Sequence, residues 1–202
     1  MNWDILENIN KRILLIVAHP DDETIFCGGT MLLYPNYKWT VISVTDCQRS
    51  SEFNDAMEFF KKLGVNIVSY KTLGQKDIKQ EAELSGLVQE KDMWEVAIKK
   101  ESFSADLILT HNEVGEYGHG AHKLLNAVVT SLFSDNIWKF IYPKEKQPHG
   151  NKIEKVDLSK EILEKKTEIF KKAYKSQEYL WKEFVNLMPY EFQNGPEIFT
   201  SD

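Results

Sequence analysis

The feature that most constrains this fold is a run of five apolar residues, Ile13 to Val17, followed at once by polar residues. A strand that is apolar at every position is typical of a parallel sheet, because helices cover both of its faces. In such sheets, ligand sites lie beyond the carboxyl ends of the strands. We therefore expect a functional site in the segment that follows, Ala18-His19-Pro20-Asp21-Asp22-Glu23.

Strand and helix patterns alternate along the rest of the chain. Predicted strands cover residues 13–17, 39–44, 65–70, 106–110, 138–141 and 152–156. Predicted helices cover residues 22–33, 53–63, 89–100 and 121–132, and a last helix begins after the N-cap Ser159. This alternation predicts an α/β, Rossmann-like fold of three layers around a mostly parallel sheet. A length of 202 residues suits a single domain, with bounds 1–202.

The apolar faces of the helices predict which side chains form the core. The second helix should bury Phe53, Ala56, Met57, Phe60 and Leu63, and Gly64 should cap its end. The fourth should bury Ala121, Leu124, Leu125, Val128, Val129 and Leu132. The last should bury Ile162, Ile169, Phe170 and Ala173, and should expose the pairs Lys165-Lys166 and Lys171-Lys172. Core or oligomer contacts are expected for Trp138, Tyr179, Trp181 and Phe184.

Composition excludes several functional classes. The net charge of −6 and the pI near 5.5 argue against a nucleic-acid-binding protein, which is usually basic. The two cysteines, Cys27 and Cys47, are too few for a disulfide framework and lack the CxxC spacing of a thiolate metal site. No apolar signal-peptide core or membrane-length run is present. We expect a reduced, cytoplasmic protein without a membrane span, and a homo-oligomer is possible.

The segment after the first strand combines an imidazole and a carboxylate three residues apart. His19 and Asp22 supply nitrogen and oxygen ligands that Zn²⁺ accepts, if the strand-to-helix turn brings them together. Asp21 is expected to point elsewhere, which leaves it free to transfer a proton beside the metal. The alternative is that the acidic residues only cap a helix. His19 and the buried strand before it weigh against that alternative.

A second cluster follows the fourth predicted strand, where residues 111–122 contain three of the five histidines. His119 and His122 are three residues apart at the start of a helix, so they share a face. His111 is the candidate for a hydrogen-bonded structural histidine. A catalytic zinc has three protein ligands and one open position. His19, Asp22 and one of the later histidines would complete such a set and leave a spare histidine to act on the substrate.

At these positions the chain resembles the LmbE-like, or PIG-L, family of zinc-dependent N-acetylglucosaminyl deacetylases. The AHPDDE sequence at residues 18–23 matches the first motif of that family without a mismatch, and residues 117–122 resemble its GHxxH element. Weaker similarities occur at Thr45-Asp46, at residues 49–52, at Leu63-Gly64-Val65 and at residues 174–177. The resemblance extends from about Leu14 to Gln177, which is most of the chain.

The resemblance implies a role for each residue of the site. The zinc ligands would be His19, Asp22 and His122. Asp21 would be the general base, and His119 would be the protonated histidine that faces the reacting carbonyl. Arg49 would bind sugar hydroxyls, and Tyr117 would lie at the pocket wall. The implied reaction removes the N-acetyl group from an N-acetylglucosamine-containing substrate with metal-activated water, although these ligands also accept Fe²⁺.

Two positions depart from the family pattern. Gly120-Ala121 stand where family members often carry Pro-Asp, which removes a carboxylate that could support the histidines. Cys47 replaces the glycine that often follows Thr-Asp. Two alternatives therefore stay open: a zinc amidohydrolase of another N-acyl compound, and a non-catalytic metal- or sugar-binding relative. The presence of both Asp21 and His119 argues against the second.

Overall fold

A sheet of seven strands forms the centre of the molecule, in a computed structural model that describes residues 11–46, 48–78, 87–101, 104–141, 152–178 and 196–201. The strands are β1 Arg12–Val17, β2 Lys38–Thr45, β3 Ile67–Gln75, β4 Leu107–Thr110, β5 Ile137–Ile141, β6 Lys152–Val156 and β7 Glu197–Ser201. Their order is β3-β2-β1-β4-β5-β7-β6. The first five in this order run parallel, and β7 pairs antiparallel with both β5 and β6.

Helices cover both faces of this sheet. They are α1 Asp22–Leu33, α2 Ser50–Lys62, α3 Leu87–Lys99, α4 Gly120–Leu132 and α5 Lys160–Ala173. Helices α1, α2 and α5 pack together on one face, and α3 and α4 pack on the other. Strand β1 divides its side chains between the two cores, with Leu15 on the first side and Leu14 and Ile16 on the second. The three-layer α/β fold with a mostly parallel sheet is therefore confirmed.

The helix cores largely follow the apolar patterns of the sequence. In α2 the predicted residues are buried except Leu63, which is 47% exposed because the helix ends at Lys62. Gly64 adopts a φ of 91° and donates its N–H to the Lys61 carbonyl at 2.9 Å, as expected of a C-terminal cap. In α4 every predicted core residue is buried except Leu132, which is partly buried.

Helix α5 differs from its prediction on one face. Leu163 is buried where Ile162 was expected, and Lys166 is fully buried although it was predicted to be solvated. The Lys166 Nζ lies 2.7 Å from both the backbone oxygen of Ile25 and Glu197 Oε1. A lysine side chain is almost never fully buried unless its charge is paired with an opposite charge. Its partner stands 31 residues away in β7, so the local pattern gave no sign of it.

Two strands also differ from their predictions. Strand β3 begins at Ile67 rather than residue 65, and it continues to Gln75 rather than stopping at residue 70. Strand β7 was not predicted. Trp138 belongs to the core, whereas Cys47, Tyr179, Trp181 and Phe184 lie outside the described residues. Within the described ranges, no helix has both the length and the apolar character that crossing a membrane requires.

The sheet topology decides where a site can form. From β1 the chain moves outward through β2 and β3, and it then returns to add β4 and β5 on the other side of β1. Strands β1 and β4 are therefore parallel neighbours at the point where the strand order reverses. Loops that leave such a pair diverge and open a crevice at the carboxyl ends of the strands. Both predicted site segments follow these two strands directly.

Candidate active site

The turn after β1 is folded by hydrogen bonds between its own residues. The N–H of His19 donates to Asp22 Oδ2 at 2.8 Å, and the N–H of Asp22 donates back to the His19 carbonyl at 3.2 Å. This reciprocal pair brings the His19 Nδ1 to 3.2 Å from Asp22 Oδ2. The imidazole and the carboxylate therefore converge on one point, as the three-residue spacing predicted.

His122, on the first turn of α4, completes a triangle with these two side chains. Its Nε2 lies 3.3 Å from His19 Nδ1 and 3.4 Å from Asp22 Oδ2. A tetrahedral zinc ion with bonds of about 2.0–2.1 Å holds its ligand atoms about 3.3–3.4 Å apart. The three sides of the triangle, 3.2, 3.3 and 3.4 Å, lie within about 0.1 Å of this spacing. The exposed fractions of His19, Asp22 and His122 are only 6%, 3% and 0%, so the triangle could hold a desolvated metal ion.

Two further histidines border this triangle. His119 can form a ligand group with His19 and His122, and His111 can form one with Asp22 and His122, among the residues that the structure describes. The ring nitrogens of His111 already have other partners. Its Nε2 accepts the N–H of Ala18 at 3.1 Å, and its Nδ1 lies 3.0 Å from a carboxylate oxygen of Glu116. These bonds agree with the structural role expected of His111.

Two carboxylates that were not predicted contact His19 and His122 on the ring nitrogens that face away from the triangle. Asp77, just after β3, places Oδ1 at 2.8 Å from His19 Nε2. Glu116 places Oε2 at 2.5 Å from His122 Nδ1. A carboxylate on the far nitrogen fixes the tautomer and the orientation of a ligand imidazole. Glu116 lies within the second histidine cluster, residues 111–122, and could have been identified there, whereas Asp77 lies in a weakly patterned stretch with no motif around it.

The charge balance of the site favours a cation. Burial opposes the ionised form of Glu116, but His111 and His122 lower its pKa to about 2. Burial likewise opposes a charged His19, yet the carboxylates of Asp22 and Asp77 raise its pKa to about 9. A pocket that stabilises positive charge on its own imidazole also suits a metal ion, which would displace that proton.

The carboxylate of Asp21 forms an ion pair with an arginine. Its Oδ2 lies 3.0 Å from Arg49 Nη1, and the residue is 5% exposed. Burial raises the pKa of Asp21 to about 8, against the opposing charge of Arg49. Arg49, which was predicted to bind sugar hydroxyls, is therefore paired with Asp21, and its contact with a sugar stays a prediction.

His119 and Tyr117 line the open side of the site. The His119 ring lies 4.8 Å from that of His19 and 4.7 Å from that of His122. Its Nδ1 is buried and has no hydrogen-bond partner in the described part of the chain. Burial and the charges of His122 and His19 lower the pKa of His119 to about 4, which disfavours the protonated form that was expected. Tyr117 is 51% exposed, with its ring 5.9 Å from that of His119.

Solved structures and one curated relative resemble most of the chain. An uncharacterized protein of Acanthamoeba polyphaga mimivirus is 27% identical over 180 residues, which cover 82% of this chain and 76% of the relative. The zinc-inhibited form of teicoplanin deacetylase Orf2 matches with a TM-score of 0.59 at 13% identity, over 93% of this chain and 96% of that one. N,N'-diacetylchitobiose deacetylase from Pyrococcus horikoshii matches with a TM-score of 0.56 at 17% identity, over 94% and 82%.

At such low identities the two solved structures show a shared fold and no more. A family match is more informative here, because it includes the segments that form the site. The family described as PIG-L, GlcNAc-PI de-N-acetylase, matches residues 14–133, which include the β1 turn and the first turn of α4. This match spans more than half of the chain and contains His19, Asp22 and His122. The chain therefore belongs to the PIG-L family.

Proposed function

We propose that this protein is a zinc-dependent hydrolase that removes the N-acetyl group from an N-acetylglucosamine-containing substrate. The observation that carries the proposal is the buried triangle of His19, Asp22 and His122, whose sides of 3.2, 3.3 and 3.4 Å suit tetrahedral zinc. Membership of a de-N-acetylase family supports the reaction class. Asp21 and His119, which lie beside the triangle, supply the proton-transferring and hydrogen-bonding groups that amide hydrolysis needs.

The donor set fits the metal that the proposal requires. Two imidazole nitrogens and one carboxylate oxygen are the ligands of many catalytic zinc sites, and Fe²⁺ accepts the same set. Each ligand imidazole has its own carboxylate, Asp77 behind His19 and Glu116 behind His122. When bound there, zinc supplies a hydroxide at neutral pH, by lowering the pKa of water to about 7, and polarises the amide carbonyl.

Asp21 is the proposed general base. It is the sequence neighbour of the proposed ligand Asp22, and its own carboxylate is paired with Arg49. It is therefore not needed as a ligand and would be free to accept a proton from the reacting water. The carboxylate would accept a proton as the water attacks the acetamide carbon. General-base catalysis of this kind raises the reaction rate about 10²–10⁴-fold in comparable enzymes. The same carboxylate would then return that proton to the departing amine.

His119 is the proposed donor to the carbonyl oxygen. Negative charge builds on this oxygen as the tetrahedral intermediate forms, and an imidazole N–H placed against it stabilises that charge. Loss of one such donor costs about 2.7–4 kcal/mol in comparable sites. Because its pKa is low, His119 would act as a neutral imidazole that donates from one nitrogen. Arg49 and the half-exposed Tyr117 would form the sugar-binding rim.

The decisive experiment measures acetate release from a panel of N-acetylated amino sugars by the purified, zinc-loaded protein. A chelator should abolish release, and added zinc should restore it. Asp21→Asn should keep one zinc per chain and lose about 10²–10⁴-fold in kcat. Asp55→Asn, the same change on the exposed face of α2, is the matched control and should behave as wild type. Release that continues at the wild-type rate without metal, or in Asp21→Asn, would contradict the proposal.

One observation favours a second candidate, a zinc amidohydrolase of another N-acyl compound. Ala121 is buried where family members often carry aspartate, and the Nδ1 of His119 has no hydrogen-bond partner within the described residues. The residues next to the substrate therefore differ from the family pattern, while the three proposed metal ligands match it. The same panel should include N-acetylated amino acids and short peptides. Acetate from these compounds alone would favour the second candidate.

A further inference from the structure

The turn that carries Asp21 has a strained backbone. Asp21 adopts a φ of 119° and a ψ of −32°, in a region that side chains other than glycine rarely occupy. Such a conformation persists only when the surrounding structure enforces it, and it is found most often at functional sites. The groups that enforce it can be identified from the hydrogen bonds of the turn.

Glu23 is the group that holds the strained peptide. Its carboxylate is completely buried, and its Oε2 accepts the backbone N–H of Asp21 at 3.0 Å. Its Oε1 accepts two hydroxyls, that of Thr24 at 2.6 Å and that of Tyr174 at 2.5 Å. Both oxygens therefore have fixed partners. Tyr174, just after α5, is 1% exposed, so neither it nor Glu23 can reach a substrate in the crevice.

The carboxylate of Asp21 is held from the same part of the chain. Arg49, its partner, immediately precedes α2. On the first turn of α2, Glu52 accepts the N–H of Ser176 at 2.8 Å and its hydroxyl at 2.5 Å. The peptide of Asp21 and the helix that follows Arg49 are thus both anchored to residues 174–176.

We propose that Glu23 and Tyr174 are positioning residues for Asp21; this inference rests on the proposed function, in which Asp21 moves the proton. Adjacent acidic residues must point in different directions here, since Asp22 faces the triangle and Asp21 faces Arg49. The unusual φ produces this divergence, and the bond from the Asp21 N–H to Glu23 maintains it. Tyr174 orients the Glu23 carboxylate that accepts this bond.

The test compares Tyr174→Phe with wild type as zinc-loaded, full-length proteins. The variant removes one oxygen and keeps the ring that packs in the core. We expect kcat to fall at least about fivefold, while KM and the zinc content per chain stay within about twofold, because neither ligands nor substrate contacts change. Glu23→Gln, which replaces one acceptor oxygen with a donor, should lower kcat at least about tenfold.

Tyr70→Phe is the matched control. Its hydroxyl also donates to a carboxylate, Glu58 Oε1 at 2.9 Å, but on the surface of α2 away from the site. It should leave kcat and KM unchanged. The inference is overturned if Tyr174→Phe and Glu23→Gln keep the wild-type kcat, or if loss of zinc accounts for their defect.

Failure of the proposed function gives a different result, because wild type itself would then release no acetate from any compound in the panel. In that event, crystal structures of zinc-loaded wild type and Tyr174→Phe test the positioning role directly. We expect the variant to lose the positive φ at Asp21 or its ion pair with Arg49. A turn that is identical in both structures would overturn the inference without reference to activity.

Discussion

Replacing Lys166 with methionine should destabilise the protein more than most single substitutions, because it removes the charge partner of a buried carboxylate. The Lys166 and Glu197 side chains are 1% and 5% exposed, and their charged atoms lie 2.7 Å apart. Without the ammonium group, Glu197 would still accept the N–H groups of Gly29 and Thr30 at 2.8 and 2.7 Å. These neutral donors do not replace the lost charge. Breaking a buried pair on one side costs about 3–5 kcal/mol.

That cost is large relative to the stability of a domain, which is about 5–15 kcal/mol in total. For a chain of this size, each kcal/mol lowers the melting temperature by about 2–4 °C, so Lys166→Met should melt about 6–20 °C below wild type. Urea unfolding followed by circular dichroism would measure the free energy, and a thermal scan would measure the melting temperature. Both should be run on metal-free and zinc-loaded protein, since a bound metal adds its own stabilisation.

Lys165→Met is the matched control for this experiment, one residue earlier on the same helix. Lys165 pairs with Glu161 at 2.6 Å, but the two side chains are 39% and 74% exposed. Such surface pairs contribute about 0–1 kcal/mol. The double variant Lys166→Met/Glu197→Gln should recover part of the loss, because it also removes the uncompensated charge. The reasoning is refuted if Lys166→Met lies within about 1 kcal/mol of Lys165→Met.

Two further predictions concern the packing of α1 and the support of the metal ligands. A Cβ at Gly29 would lie 2.4 and 2.7 Å from the methyl carbons of Leu158, whereas one at Gly28 would meet nothing closer than 3.4 Å. Gly29→Ala should therefore cost about 1–3 kcal/mol in urea unfolding, and Gly28→Ala should be neutral or stabilising. Glu116→Gln should weaken zinc binding about 10–100-fold in a competition titration, because it perturbs the carboxylate behind His122. Unchanged affinity would assign Glu116 a purely structural role.

The proposed ligands could be named from the sequence because two of them share one local motif, and the third follows from the family resemblance and one topological rule. His19 and Asp22 share a single turn, and His122 opens the helix that follows the neighbouring strand. Once a parallel sheet was expected, the carboxyl ends of β1 and β4 had only to be adjacent for these residues to meet. The α/β fold followed in the same way from the alternation of apolar runs and helical faces.

Apart from Glu116, the supporting residues could not be predicted, because their roles depend on contacts between distant parts of the chain. Asp77 follows the edge strand β3, where alternation is weak, and its side chain meets His19 across 58 residues. Glu197 lies in the unpredicted strand β7 and meets Thr30 across 167 residues. Lys166 was placed on the wrong face for the same reason. A buried charged residue looks like an exposed one in the hydrophobic periodicity of the sequence, so its burial can be recognised only when its partner is known.

Helix α1 shows why these distant contacts matter for the site. Its residues from Asp22 to Met31 are all buried, so every polar group in that stretch needs a partner inside the protein. Several of those partners lie beyond residue 133, where the family match ends. Tyr174 bonds to Glu23, and Glu197 and Lys166 bond to the middle of the helix. The matched region thus contains the proposed ligands, while the later part of the chain fixes the helix that presents Asp22. Substitutions in this later part should therefore alter the geometry of the site, although they touch neither metal nor substrate.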